Sequence, residues 1–167
     1  FETPVAVLRP FNTYGPRQSA RAVIPTIITQ IAAGQRQIQL GALSPTRDFN
    51  FVADTCAAFL AVADCDQSLG QVVNAASNFE ISIGDTAALI AEVMNAEVEI
   101  STDEIRLRPE GSEVNRLYGD NSRLRELTGW QPAYRGLEGF RRGLAITAEW
   151  FSDPSTLARY RPGSYSV

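Results

Sequence analysis

A short apolar run near the start of the chain constrains the fold more than any other feature, because a polar loop follows it directly. The run from Val5 to Leu8 is uncharged and β-rich, which predicts a strand buried on both faces, as in a parallel sheet. Pro10 removes a backbone donor and ends the strand, and residues 12–16 are typical of a loop. Open α/β sheets bind ligands where such strands end, so the sequence predicts a binding edge here.

Three polar side chains around this loop could contact a ligand. Asn12 offers amide donors and an acceptor, whereas Arg9 and Arg17 offer guanidinium forks that suit anions. The same residues are also compatible with an ordinary exit from a strand that carries two solvated arginines.

The rest of the chain alternates between strand and helix patterns. Apolar residues recur at helical spacing from 22 to 33, and Gly34 then ends the pattern. Asp54 is interpreted as the cap of a helix that runs to about Ala63. Ser82 is interpreted in the same way before the helical pattern of residues 83–95. The other predicted strands are Ile38–Leu40, Arg47–Val52, Val72–Ala76 and Val98–Ile100, and the other predicted helices are Asn121–Gly129 and Leu137–Phe151. This alternation predicts an α/β fold of one domain.

Charge and residue usage exclude several classes of function. The 167 residues carry a net charge of −4 and the pI is about 4.9, so we expect no nucleic-acid partner and no membrane partner. All 15 basic residues are arginines, which excludes a histidine base, a histidine metal ligand and a lysine Schiff base. We expect no metal site, because Cys56 and Cys65 lack the spacing of a zinc site. They are interpreted as the reduced thiols of a cytoplasmic protein.

Two motifs of dinucleotide-dependent enzymes are missing from the sequence. It contains no Gly-x-Gly-x-x-Gly loop and no Tyr-x-x-x-Lys pair. The chain begins with Phe1 and enters a strand pattern almost at once. We therefore expect a fragment, or a chain whose first residues were trimmed.

Four segments, taken in order along the chain, resemble one enzyme family. Arg9–Pro16 matches R-P-x-N-x-Y-G-P, and Arg47–Asp54 matches R-D-[FWY]-x-[YF]-V-x-D. Asn74 opens an N-x-A step, and residues 106–132 resemble the family's R-P…D, x-D-x-S/T and L-G-W-x-P elements. The chain is thus similar to the substrate-binding half of extended short-chain dehydrogenases/reductases that act on nucleotide sugars. Residues 18–28 and 160–167 look like those of NAD-dependent epimerases/4,6-dehydratases of the legionaminic-acid pathway, which also implies a natural C-terminus.

This resemblance implies a fold and a set of site residues. The fold is an α/β one that holds the last Rossmann strand and a small α/β substrate domain. Residues 1–167 then form a single substrate-binding domain, from which the N-terminal NAD-binding Rossmann half is absent. Pro10 and Phe11 would lie near the nicotinamide. The residues implied in binding a UDP- or GDP-sugar are Asn12, Arg17, Arg47, Asn74, Arg108 and Glu113, with Glu113 preferred to Ser112 as the ribose contact.

The resemblance also implies a reaction for the full-length enzymes. NAD takes a hydride from C4 of the sugar, a proton leaves C5, water leaves C6, and the hydride returns to C6. The acid and base groups precede the R-P-x-N motif, so no catalytic residue is expected in this chain. We expect the chain alone to bind no NAD and to be inactive.

Several alternatives stay open. Arg47 could instead pair with Asp48 or Asp54, and Asn74 could hydrogen-bond a neighbouring loop. The whole chain could also be a stand-alone nucleotide-sugar-binding module, or a degenerate fragment that survives as an oligomer. We expect a homodimer, because residues 5–8 and the helix from Val23 to Ile31 carry more apolar area than one small domain hides.

Overall fold

A computed structural model gives the structure of residues 3–106 and 114–160. The strands are β1 (Val7–Pro10), β2 (Thr13–Tyr14), β3 (Gln37–Leu40), β4 (Thr46–Asp48), β5 (Asn50–Phe51), β6 (Val72–Ala75), β7 (Glu80–Ser82), β8 (Glu99–Thr102) and β9 (Arg116–Leu117). The helices are α1 (Val23–Ala32), α2 (Val52–Ala63), α3 (Ile83–Val93), α4 (Ser122–Thr128), α5 (Gly136–Ser152) and α6 (Pro154–Tyr160). Short 3₁₀ turns cover Asp66–Ser68 and Glu104–Arg106.

The strands in the described part of the chain pair in small groups. β1 pairs with β6, β2 with β5 and β3 with β8, each time in parallel. β4 lies at the centre of a mixed group, antiparallel to β7 and parallel to β9. Parallel partners need long crossover connections, so each of these pairs joins distant parts of the sequence. The predicted α/β class is confirmed.

The larger core forms between three helices. α1 packs against α3 and α5, and the side chains it buries include Ile24, Ile27, Ile28 and Ile31. The apolar pattern of this helix is therefore satisfied within the chain. The use of this helix as support for a homodimer was wrong, because its apolar side is not exposed.

A smaller core covers one face of the β1–β6 pair. α2 and α4 contribute Ala58, Val62 and Leu124 there, against Val73 and Ala75 of β6. On the opposite face, Val7 and its register partner Val72 are each 41% exposed. The prediction of a first strand buried on both faces is therefore wrong in this structure. Among the described strands β1 has β6 as its one neighbour, and the two helices cover a single face.

Tyr14 is the centre of an aromatic cluster in the larger core. Its ring makes edge-to-face contacts with Phe49, Phe51 and Phe140, at centroid distances of 5.2–6.3 Å. Its hydroxyl donates to the carbonyl oxygen of Phe140 at 3.3 Å, and the residue is 1% exposed. Burial raises the pKa of Tyr14 well above its ordinary value, so the phenol stays protonated and acts as a structural group.

The helix ends test three local predictions. Ser82 caps α3, since its Oγ accepts from the backbone N–H of Asp85 at 2.9 Å, and this prediction is confirmed. Gly129 ends α4 with φ of 72°, which is also as predicted. The interpretation of Asp54 as a cap is wrong, because α2 begins at Val52. The Asp54 carboxylate instead accepts from the N–H groups of residues 133 and 134, both at 2.9 Å, and fastens the loop that leads to α5.

Candidate functional site

A cleft of about 380 Å³ opens between segments that are far apart in the sequence. Its walls come from the loop after β1, the start of α1, the ends of β3 and β4, and the turn that ends at Arg106. Asn12 and Arg47, two of the residues predicted to bind substrate, both line it. The structure therefore brings together side chains that are 35 positions apart (47 minus 12) in the chain.

The cleft is rich in arginine. Arg21, Arg47 and Arg106 line it from three separate segments, and none of the described residues around it is Asp or Glu. Arg47 donates through Nη1 to the carbonyl oxygen of Val114 at 2.6 Å. Arg106 donates through Nε to the Asp103 carboxylate at 3.2 Å. These contacts hold two guanidinium groups at the edge of the cleft, and the charge of Arg106 is partly balanced by its ion pair with Asp103.

Helix α1 begins in the wall of the same cleft. Ala22 is its N-cap residue, and the alanine side chain has no acceptor to offer to the first-turn N–H groups. No acidic residue lies in that first turn. An uncapped helix start carries partial positive charge and backbone donors, both of which favour an anion.

Asn12 is fixed in the cleft by the connection between β4 and β5. Its side-chain Nδ2 donates to the backbone carbonyl oxygen of Asp48 at 3.0 Å, and its backbone carbonyl oxygen accepts from the N–H of Asn50 at 3.0 Å. The Asn12 side chain is thus oriented by the strand that carries Arg47.

The other predicted site residues lie away from the cleft. Phe11 follows β1, with its N–H bonded to the carbonyl of Ala75 at 2.9 Å, and Pro10 is exposed at the end of that strand. Asn74 donates through Nδ2 to the carbonyl of Asp120 at 3.3 Å, which is the hydrogen bond to a neighbouring loop that the sequence left open. Arg17 is exposed in a turn. Arg108 and Glu113 lie outside the described residues.

Three parts of the cleft did not appear in the sequence-based prediction. Arg21 stands just before Ala22, the N-cap residue of α1, and an arginine beside an uncapped helix start is a recognisable signal for an anion site. Arg106 stands two residues before Arg108, and the family resemblance favoured Arg108 because only that arginine is followed by proline. The helix start itself was noted only for its apolar pattern.

A larger groove of about 970 Å³ lies elsewhere, over α3 and the ends of β3 and β8. It is bordered by Glu92, Glu97 and Glu99, with Arg36 as the one basic residue of its described lining. Hydrogen bonds from Arg141 lower the pKa of Glu92 and pair its carboxylate with a guanidinium group. Acidic residues outnumber basic ones in this described lining, which disfavours a phosphate, so we take the smaller, arginine-lined cleft as the candidate functional site.

Two further properties concern only residues 3–106 and 114–160. They contain no cluster of three or more metal-ligating side chains. None of their helices combines the length and the apolar character needed to cross a lipid bilayer.

Comparison with known proteins places this chain in a family. The family model described as GDP-mannose 4,6 dehydratase matches residues 1–142. GDP-6-deoxy-D-mannose reductase from Pseudomonas aeruginosa is 33% identical over 153 residues, which covers 89% of this chain and 48% of that protein. The dTDP-D-glucose 4,6-dehydratase of Homo sapiens is 27% identical over 158 residues, with 92% of this chain and 43% of that protein covered. The chain thus spans about half the length of the curated relatives it matches.

Solved structures agree with this assignment. Epimerase Mth375 from Methanothermobacter thermautotrophicus superposes with a TM-score of 0.82 at 26% identity, covering 96% of this chain and 46% of that one. RMD from Pseudomonas aeruginosa, solved with NADPH, gives 0.75 at 28% identity and covers 87% of this chain and 48% of that one. The chain therefore belongs to the GDP-mannose 4,6-dehydratase family and has the fold of the C-terminal part of an extended short-chain dehydrogenase/reductase.

Proposed function

We propose that this chain is the nucleotide-sugar-binding portion of an NAD-dependent nucleotide-sugar 4,6-dehydratase or epimerase. One observation carries the proposal: the cleft that holds Asn12 is lined by three arginines and by the start of helix α1, and its described lining includes no acidic residue.

The physical match is to a diphosphate. Its oxygens are negative and accept several hydrogen bonds, and arginine presents two parallel donors to such a group. The start of α1 adds backbone donors and the positive end of the helix dipole. Leu40, Pro45 and Ile83 provide apolar surface in the same cleft, on which a flat nucleotide base or the face of a sugar ring can pack.

The substrate and cofactor assignments are part of this proposal. Relatives named for GDP- and dTDP-sugars support a nucleoside diphosphate sugar, and we propose a UDP- or GDP-sugar here. The relative solved with NADPH supports a nicotinamide cofactor in the full-length family. This chain lacks a glycine-rich loop and Tyr-x-x-x-Lys, so we propose that it binds no NAD by itself and supplies no catalytic residue.

Titration calorimetry with UDP-glucose and GDP-mannose tests the binding proposal. We expect one of the two to bind, and Arg47→Ala to weaken it by about 1.5–3 kcal/mol, because a charge-assisted hydrogen bond is lost. That loss corresponds to a rise in Kd of roughly 10- to 150-fold. Arg141→Ala is the matched control, since Arg141 pairs with Glu92 outside the cleft. Equal affinities for wild type, Arg47→Ala and Arg141→Ala would contradict the assigned site.

An activity assay tests the second half of the proposal. With NAD and either sugar supplied, mass spectrometry should detect no dehydrated, epimerised or oxidised product from this chain alone. Turnover above that of a heat-inactivated sample would show that the chain carries the whole reaction.

We also propose that the chain forms a homodimer in the cytoplasm. Support for self-association comes from β1, whose Val7 is exposed beside Val72 on a sheet face that the described helices leave uncovered. Support for the compartment comes from Cys56 and Cys65, which are free thiols.

A further inference from the structure

Asp48 is a buried carboxylate that no function has yet explained. The residue is 0% exposed and lies next to Arg47 on β4. Its Oδ1 accepts from the N–H and the hydroxyl of Ser77, at 2.8 and 2.7 Å. Its Oδ2 accepts from the N–H groups of Asn78 and Gly119, at 3.1 and 3.3 Å. Four donors therefore converge on one side chain, and three of them are backbone groups that can only donate.

These bonds join the segments that form the ligand edge of the β1–β6 pair. Ser77 and Asn78 follow β6, and Gly119 precedes α4. A side chain at Gly119 would place its Cβ 2.2 Å from the Cβ of Ala76 and 3.0 Å from the ring of Phe11. The backbone at 119 is thus pressed against the loop after β1 and the end of β6. The Asp48 carboxylate holds it there.

Asp48 also reaches the arginine-lined cleft through its main chain. Its carbonyl oxygen accepts from the Asn12 amide at 3.0 Å. Successive side chains of a strand point to opposite faces, so β4 presents Arg47 to the cleft and Asp48 to the interior. If the carboxylate lost its hydrogen bonds and β4 shifted, both Arg47 and the Asp48 carbonyl oxygen that orients Asn12 would move.

We infer that Asp48 is a positioning residue of this site, whose carboxylate locks β4 to the loops that follow β6 and β9 and thereby sets the geometry of Asn12 and Arg47. This inference rests on the proposed function as far as ligand affinity is concerned. It makes a separate claim about structure: the carboxylate, not the general packing of the core, fixes the orientation of the Asn12 amide.

The test compares two buried carboxylates in matched variants. Asp48→Asn replaces one acceptor oxygen by an NH₂ group that faces backbone donors. Asp54→Asn makes the same change at a residue that is 4% exposed and also accepts two backbone N–H groups, but that does not line the cleft. Each variant is measured by thermal unfolding, by calorimetry with UDP-glucose and GDP-mannose, and by amide NMR of the Gly119 backbone and the Asn12 side chain.

We expect both variants to lose stability, and only Asp48→Asn to lose affinity per folded molecule, by about tenfold or more. The Gly119 and Asn12 amide signals should move in Asp48→Asn and stay in place in Asp54→Asn. Equal affinities together with unchanged Asn12 signals in both variants would overturn the inference. If wild type binds neither sugar, the proposed function fails, and the Asn12 signal alone then decides whether Asp48 positions that side chain.

Ser77→Ala covers the case in which Asp48→Asn does not fold. It removes the hydroxyl donor to Oδ1 and leaves the other three donors in place. We expect a smaller shift of the Asn12 signal in the same direction, and no shift at all would count against the inference.

Discussion

At the scale of single residues, Tyr14 packs closely against α5 at Gly143. A Cβ built on Gly143 would lie 2.1 Å from the hydroxyl oxygen of Tyr14 and 3.0 Å from the ring of Phe51. The Tyr14 hydroxyl cannot move away without losing its bond to the carbonyl of Phe140. Glycine at 143 is therefore required by packing.

Gly143→Ala should destabilise the chain by about 1–3 kcal/mol, the usual cost of overpacking a closed core. Gly84→Ala is the control, since a Cβ at position 84 would make only ordinary contacts at 3.5 Å or more. The alanine also has a higher helix propensity than the glycine it replaces in α3. Urea unfolding of both variants measures the difference. A Gly143→Ala variant as stable as Gly84→Ala would show that the Tyr14 ring has room to move.

Arg17 is strained in its turn, with a φ of 68° that favours glycine. Arg17→Gly should therefore raise the free energy of unfolding by about 1 kcal/mol, because the left-handed conformation no longer crowds a Cβ. If Arg17 contacts the substrate, as the family resemblance implies, the same variant should bind nucleotide sugar more weakly. Unfolding and calorimetry on one sample separate the two effects. A loss of stability would contradict the strain argument.

At the scale of secondary-structure elements, the uncapped start of α1 is the feature that stability alone does not explain. Ala22 already has the extended backbone of a cap residue, with φ of −79° and ψ of 148°. A capping side chain at position 22 could accept only from the N–H of Ile24, because Pro25 has none, and an acidic cap would place a carboxylate in the cleft. By comparison, α3 also begins at the wall of the cleft, through Ile83, but Ser82 gives it a full side-chain cap.

Ala22→Asp should stabilise the chain by about 0.5–2 kcal/mol and should abolish or strongly weaken nucleotide-sugar binding through charge repulsion. Ala22→Ser supplies a neutral cap of similar geometry, so it should gain stability and keep more of the affinity. Thermal unfolding and calorimetry on both variants give the comparison. Undiminished binding by Ala22→Asp would place the anion site away from α1.

The sequence predicted the helix ends correctly where the residues that interact there are close together in the chain. Ser82 is followed three residues later by Asp85, whose backbone it caps, and Gly129 has the left-handed conformation that its position suggested. Asp54 was misread because its partners, residues 133 and 134, are 79 and 80 positions away. Nothing in the neighbouring sequence distinguishes a carboxylate used as a cap from one that holds a distant loop.

At the scale of the whole molecule, the two cores differ in how completely they are enclosed. The helices α1, α3 and α5 bury the larger core between them, whereas the β1–β6 pair is covered by helices on one face only among the described residues. The cleft lies where segments from positions 12 to 106 meet. The family resemblance predicted Asn12 and Arg47, but the contribution of Arg21, Arg106 and the helix start depends on tertiary packing.

Sedimentation at micromolar concentration tests the proposed homodimer. Wild type should sediment as a dimer of the 18.2 kDa chain, and Val72→Lys should shift it to monomer by placing a charge on the uncovered sheet face. Leu137→Lys is the control, because Leu137 is 46% exposed on α5. A wild-type monomer, or a dimer that both variants leave intact, would contradict an interface at β1.

The most direct test of the central claim is a crystal structure of this chain with whichever of UDP-glucose or GDP-mannose binds it. We predict that the diphosphate lies in the arginine-lined cleft, within hydrogen-bond distance of the Arg47 guanidinium and the first N–H groups of α1. A diphosphate seated elsewhere, for example in the groove beside Glu92 and Glu97, would contradict the account, and so would a structure in which the cleft stays empty at saturating ligand.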